Sequence, residues 1–121
     1  MSTLDQAMNY LADRADVGTY TTHNASKSVS ANTDAEVQNF QLPPGTWLIV
    51  SHMDLSKSGT SVYNHGIAGA YTVRSTEVNG GGSTNIAVMN LTSTTTIHIN
   101  IYVHIACTAR SHVWAVKLAP A

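Results

Sequence analysis

The segment from Thr94 to Cys107 alternates with a period of two. Ile97, Ile99, Ile101, Val103 and Ile105 fall on one side, and His98, Asn100, Tyr102, His104 and Ala106 on the other. β-Branched residues at every second position suit a pleated surface with one face buried, and they crowd a helix. The chain around this segment has to supply other strands to cover that face. Asn85 to Leu91 reads as one, and His112 to Leu118 as the last, with Val113, Ala115 and Lys117 set against Trp114, Val116 and Leu118. Upstream, Thr46 to Leu55 opens with Trp47-Leu48-Ile49-Val50, a continuous apolar run expected to be covered on both faces. Glu36 to Leu42 alternates through Val37, Phe40 and Leu42 and stops at Pro43-Pro44-Gly45, a turn whose φ is preset by proline. Thr19 to Ser30 alternates weakly around Val29, Val62 to Tyr71 reads as a bent strand or a loop, and Thr72 to Val78 precedes the glycine-rich Asn79–Ser83. Strands about 10 residues apart with no helix between them predict an all-β fold, an antiparallel sandwich of jelly-roll type.

The first seventeen residues follow another rule. Leu4, Met8, Leu11 and Ala15 are spaced 4-3-4, the seam of a coiled coil, with Ser2 or Thr3 as cap, Asp5 at the positive end of the dipole and Gly18 as stop. Residues 1–17 are therefore expected to be a short helical stem, and residues 18–121 the β-sandwich head. Two heptads are too short to stand alone in water. The helix must lie on the domain's own surface or meet other copies.

Composition narrows the function. The 121 residues carry a formal charge of −1, and only 11% are charged, against about 25% in a usual soluble chain. Twelve serines and fifteen threonines take up the difference. Six basic residues, spread along the chain, give no stripe to neutralise phosphates, so nucleic acid is not an expected partner. No apolar run reaches the roughly 18 residues of a membrane span. The start, Met-Ser-Thr-Leu-Asp-Gln, lacks the basic flank and apolar core of a secretory signal. The expectation is a chain made in the cytoplasm that stays there unless it leaves by lysis or inside an assembled particle, and the Asn24-Ala25-Ser26 and Asn90-Leu91-Thr92 sequons are chance matches. The single Cys107 excludes an intramolecular disulfide and a multi-cysteine zinc site, and at the end of an apolar strand it reads as buried filler.

Nothing in the sequence builds an enzyme. Asp34, Glu36, Asp54 and Glu77 are scattered beside turns, no Gly-x-Ser-x-Gly elbow occurs, and the Asn79–Ser83 loop lacks the lysine of a phosphate-binding loop. No catalytic residue, cofactor or resident metal is expected. His98 and His104 share a strand face but stand about 20 Å apart, so one chain cannot bring both to one ion. On a threefold axis each would instead meet its two copies. Tyr102 between Asn100 and His104 fits either solvent or a subunit contact, since tyrosine combines apolar area with a hydroxyl. His23, His52, His65 and His112 have no spacing partner. For a ligand, Tyr63, Asn64 and His65 stand together before a glycine, where a ring could stack on a sugar and amides could bond its hydroxyls, with Arg74 and Asn79 as neighbours. A plain surface loop is the alternative.

These residues carry a resemblance. Leu11-Ala12-Asp13-Arg14-Ala15-Asp16-Val17 resembles the helical opening of structural tail proteins of phages and prophages of Gram-positive bacteria. The body, with Leu42-Pro43-Pro44-Gly45-Thr46-Trp47-Leu48-Ile49-Val50 and Val113-Trp114-Ala115-Val116-Lys117-Leu118, is similar to the head domains of phage fibres and receptor-binding proteins, jelly rolls akin to the tumour-necrosis-factor and complement C1q folds. The resemblance implies a homotrimer in a virion tail or fibre, with Leu4, Met8 and Leu11 holding the stem and one sheet, carrying His98, Tyr102 and His104, facing the axis. It implies binding of a host-surface saccharide or protein without chemistry, and contact with other virion proteins. This chain departs from long fibres in having almost no stalk. A purely structural decoration with no ligand of its own is the second expectation.

Overall fold

The computed structural model describes the backbone of residues 3–56, 62–74, 78–79 and 82–121, and the side chains of these except at positions 13, 62, 63, 74, 78 and 79. Among the described residues a helix, α1 (Thr3–Ala15), precedes nine strands: β1 (Tyr20–Val29), β2 (Thr33–Leu42), β3 (Gly45–Leu55), β4 (Val62–Ala68), β5 (Thr72–Arg74), β6 (Val78–Asn79), β7 (Gly82–Leu91), β8 (Thr95–Val103) and β9 (Cys107–Ala119). One sheet has the order β1-β9-β3-β7, and the other β2-β8-β4-β5 with β6 also paired to β4. Every pairing is antiparallel. The chain crosses from one sheet to the other between β1 and β2, β2 and β3, β3 and β4, β6 and β7, β7 and β8, and β8 and β9.

The inner faces supply the core. Ile97, Ile99, Ile101 and Val103 of β8 are fully buried, as the period of two predicts, against Ile49 and Met53 of β3, Met89 of β7 and Val113 and Ala115 of β9. Complete burial of each such aliphatic side chain is worth about 1.5–3 kcal/mol. Trp47 closes one end of the core, its Nε1–H donating to the Pro43 carbonyl at 2.9 Å. Among the described residues, two turns between strands depend on left-handed backbone, and Gly18 (φ 87°) does so after α1. Asn32 (φ 57°) turns β1 into β2, and its N–H donates to the Val103 carbonyl. Gly45 (φ 145°) opens β3, where a Cβ would lie 2.8 Å from the Cε of Lys117.

Three sequence expectations need correction. The strand expected from Thr94 to Cys107 ends at Val103; residues 104–106 turn, and Cys107 starts β9 in the other sheet opposite Val29. Ile105 is accordingly half-buried in the turn and does not extend the core row. Trp47-Leu48-Ile49-Val50 is not covered on both faces. Trp47 and Ile49 point inward, whereas Leu48 and Val50 point outward and are half-buried, because among the described residues no second layer lies over that side of the sheet. The Val62–Ala68 stretch takes the strand alternative, so Asn64 and His65 lie on β4 and not on the expected ligand-binding loop.

Helix α1 forms as its spacing predicts, but every described side chain in it is exposed, with Leu4 at 70%, Met8 at 59% and Leu11 at 62%. Its apolar stripe is left uncovered by the described residues. Arg14 lies over the Tyr10 ring at 4.1 Å, and the exit is tied to the sheet by the Gly18 N–H donating to the Lys117 carbonyl at 2.7 Å.

Candidate functional site

The outer face of the β1-β9-β3-β7 sheet divides into an apolar and a polar half. Register sets the rows. Tyr20, Val116, Leu48 and Val88 lie side by side across the four strands, and Thr22, Trp114, Val50 and Ile86 form the next row. Tyr20 (66%), Ile86 (57%), Val88 (50%), Trp114 (42%) and Leu118 (45%) remain open to solvent. Scattered apolar residues are ordinary on a surface, but two adjacent rows form a contiguous patch of the kind that marks an interaction surface. The same strands alternate correctly into the core, so the outward Trp, Ile, Val and Leu are additional to what folding needs.

The polar half begins one row further along. Asn24, His112, His52 and Thr84 stand across β1, β9, β3 and β7, followed by Ser26, Arg110, Asp54 and Gly82. His52 Nε2 contacts Asp54 Oδ1 at 2.9 Å, and His112 Nε2 approaches Asp54 Oδ2 at 3.9 Å. The Nδ1 atoms are held as well, His52 by Thr84 Oγ1 and His112 by Asn24 Oδ1, both at 2.9 Å. Asn24, Ala25, Ser26, Arg110 and His112 line a shallow depression of about 370 Å³. Among the described residues no group of three His, Cys, Asp or Glu side chains is placed to hold a metal ion.

The opposite outer face, on β2-β8-β4, is polar. His98 Nδ1 pairs with Glu36 Oε1 across β2 and β8, and Asn39 donates to the same carboxylate. The His98 bond is the main reason the Glu36 carboxyl sits below its ordinary value, with the Asn39 bond second. Tyr102 is half-buried between Asp34 and Asn64 on the neighbouring strands, and its ring meets His104 edge-on at 5.3 Å. His104 lies in the turn after β8, not on the strand, with its Nδ1 at 3.3 Å from Asn32 Oδ1.

The five residues expected to bind a ligand do not form a loop site. Asn64 is half-buried on β4, opposite Tyr102. His65 turns the other way and is fully buried, its Nε2 2.7 Å from Ser51 Oγ and its Nδ1 3.1 Å from Ser83 Oγ. Burial, and secondarily the charge of His52, push its pKa down to about 4, so the ring is neutral at pH 7. The side chains of Tyr63, Arg74 and Asn79 lie outside the described residues; in backbone register Arg74 stands opposite Gly66, and Asn79 opposite Val62. His52 and His112, given no role by spacing, are the pair that register brings together. His52-x-Asp54 on a strand already places two of the three groups on one face, but the partner on β9 depends on a strand pairing 60 residues distant.

No protein-family model matches the chain, and no curated protein matches its sequence. Among solved structures, the globular domain of zebrafish complement 1qA is similar over 83% of this chain and 98% of its own, at 9% identity and a TM-score of 0.53. A protein of the Bacillus endospore appendages, disulfide-linked pili, matches over 84% and 91% at 12% identity and a TM-score of 0.45. The chain has a C1q-like β-sandwich fold of two antiparallel sheets with one short helix.

Proposed function

We propose that three copies of this chain assemble into a non-enzymatic binding head of a phage tail or fibre, which recognises a saccharide or protein on the host cell surface. The observation that carries self-association is the uncovered apolar half of the β1-β9-β3-β7 face. In a trimer, Trp114, Val50, Ile86, Leu48 and Val88 leave water against their copies, and the jelly-roll head keeps the polar β2-β8-β4 face outward. We set the trimer axis on this sheet rather than beside His98, Tyr102 and His104, a choice supported by Glu36, Asp34 and Asn100, which would have to be desolvated there. Helix α1 supports the same reading, because Leu4, Met8 and Leu11 are uncovered and spaced for a coiled-coil seam.

The outward polar face, rich in amide, hydroxyl and ring groups, suits a saccharide, and three copies acting together strengthen a weak single contact. Non-enzymatic binding is supported by the placement of Ser51 and His65, a hydrogen-bonded pair enclosed by the core and out of reach of a substrate. Light scattering coupled to gel filtration tests assembly, with a mass three times 12.9 kDa expected. A glycan array then tests recognition. A reproducible saccharide hit is expected, and a trimer without any hit on glycans or host cells would leave a structural decoration of the virion.

A further inference from the structure

We propose that His52, Asp54 and His112 make self-association through the β1-β9-β3-β7 face sensitive to acid, so that the assembly is held at neutral pH and released as the two histidines take up protons. This inference rests on the self-association reading and adds its regulation. The geometry that points to it is convergence. Two histidines stand directly opposite each other on β3 and β9, and both direct Nε2 at the two oxygens of one carboxylate, at 2.9 and 3.9 Å. Their Nδ1 atoms are fixed by Thr84 and Asn24, so neither ring is free to turn away. With Asn24 accepting from the Nδ1–H of His112, the neutral ring turns a bare Nε2 toward Asp54.

The cluster also lies next to the apolar rows. His112 is two residues before Trp114 on β9, and His52 two residues after Val50 on β3, so a partner that covers the tryptophan reaches the histidines as well. At neutral pH the charged groups near them among the described residues balance: Asp54 is negative and Arg110, its opposite on β9, is positive. No titratable group faces the pair from β7, where Thr84 and Gly82 stand, or from β1, where Asn24 and Ser26 stand. Beneath the sheet His65 couples to His52, and it is buried and neutral. Protonating both outer histidines therefore leaves each copy with two uncompensated positive charges on the surface that meets its copies. Like charges opposed at the solvent-reached polar edge of the contact repel each other, and histidine is the side chain whose ordinary titration spans this pH range.

The test measures mass by light scattering at micromolar concentration for the wild type and the His52→Gln, His112→Gln double variant, at pH 7.5 and at pH 5.5. Circular dichroism is recorded in parallel to confirm folding. The wild type is expected to lose its trimer at pH 5.5 while remaining folded, and the double variant to stay trimeric at both. Because the loss arises from repulsion, raising salt to about 0.5 M at pH 5.5 should restore the wild-type trimer, and this arm needs no variant to fold. A wild-type trimer that persists at pH 5.5, a loss that salt does not reverse, or a folded double variant that dissociates like the wild type overturns the acid switch and leaves the self-association reading intact. A wild-type monomer at pH 7.5 overturns both.

Discussion

His65 should make the fold itself acid-labile, independently of assembly. In the folded chain the ring is fully buried, held by Ser51 and Ser83, and its pKa is pushed down from 6.5 to about 4 by burial. The unfolded chain binds a proton near pH 6.5 and the folded chain does not until near pH 4. Stability is thus complete above pH 6.5 and falls as pH drops between the two values, since the unfolded state binds more protons there. The slope approaches about 1.4 kcal/mol per pH unit, which amounts to about 2 kcal/mol between pH 7.5 and pH 5 and about 3 kcal/mol in the acid limit. Urea denaturation followed by the fluorescence of buried Trp47 measures this, for the wild type and for His65→Gln, at one protein concentration and at half-unit steps from pH 8 to pH 4.5. The variant loses a constant amount from imperfect packing at every pH, but its curve should be flatter than the wild type by about 2–3 kcal/mol over that window. Taking the difference removes contributions shared by both proteins, including those of His23, whose pKa burial also lowers, and of the exposed Glu36. Equal slopes for the two proteins would refute the reasoning.

Other expectations follow from single contacts. Gly45→Ala places a Cβ against Lys117 Cε at 2.8 Å on a left-handed backbone, and should lower stability by about 1–3 kcal/mol in chemical denaturation. Ile99→Ala empties the fully buried row of β8 and should destabilise by about 2–5 kcal/mol, read as a lower urea midpoint at unchanged slope. Replacing Leu4 and Leu11 together by Asp should leave the head folded by circular dichroism, because both side chains are exposed, while the trimer weakens in light scattering.

Much of the fold was legible because the inward rows obey one physical rule. Ile97, Ile99, Ile101 and Val103 had to face a core, and Pro43-Pro44-Gly45 had to turn before Trp47. The end of β8 was not legible, since Ile105 continues the pattern locally and only the pairing of Cys107 with Val29 in the other sheet ends the strand. The outward apolar rows were half visible. Trp114, Val116 and Leu118 alternate with Val113, Ala115 and Lys117, but both sets contain apolar residues, and periodicity alone does not say which is inside. Trp47-Leu48-Ile49-Val50 posed the same ambiguity, and reading it as doubly covered hid an open face. The candidate site was the least legible part. His65 looks like a loop ligand beside Gly66 until β4 is seen to be a strand, and the His52–Asp54–His112 cluster exists only through the register of β3 with β9.

The central claim is that the apolar half of the β1-β9-β3-β7 face is covered by copies of the same chain. Light scattering at pH 7.5 on the wild type and on an Ile86→Glu, Trp114→Glu variant tests it most directly, since both side chains are exposed in the single chain and dispensable for its core. The account predicts a wild-type mass three times 12.9 kDa and a folded variant at 12.9 kDa. A monomeric wild type, or a variant that remains trimeric with two glutamates on that face, would contradict it.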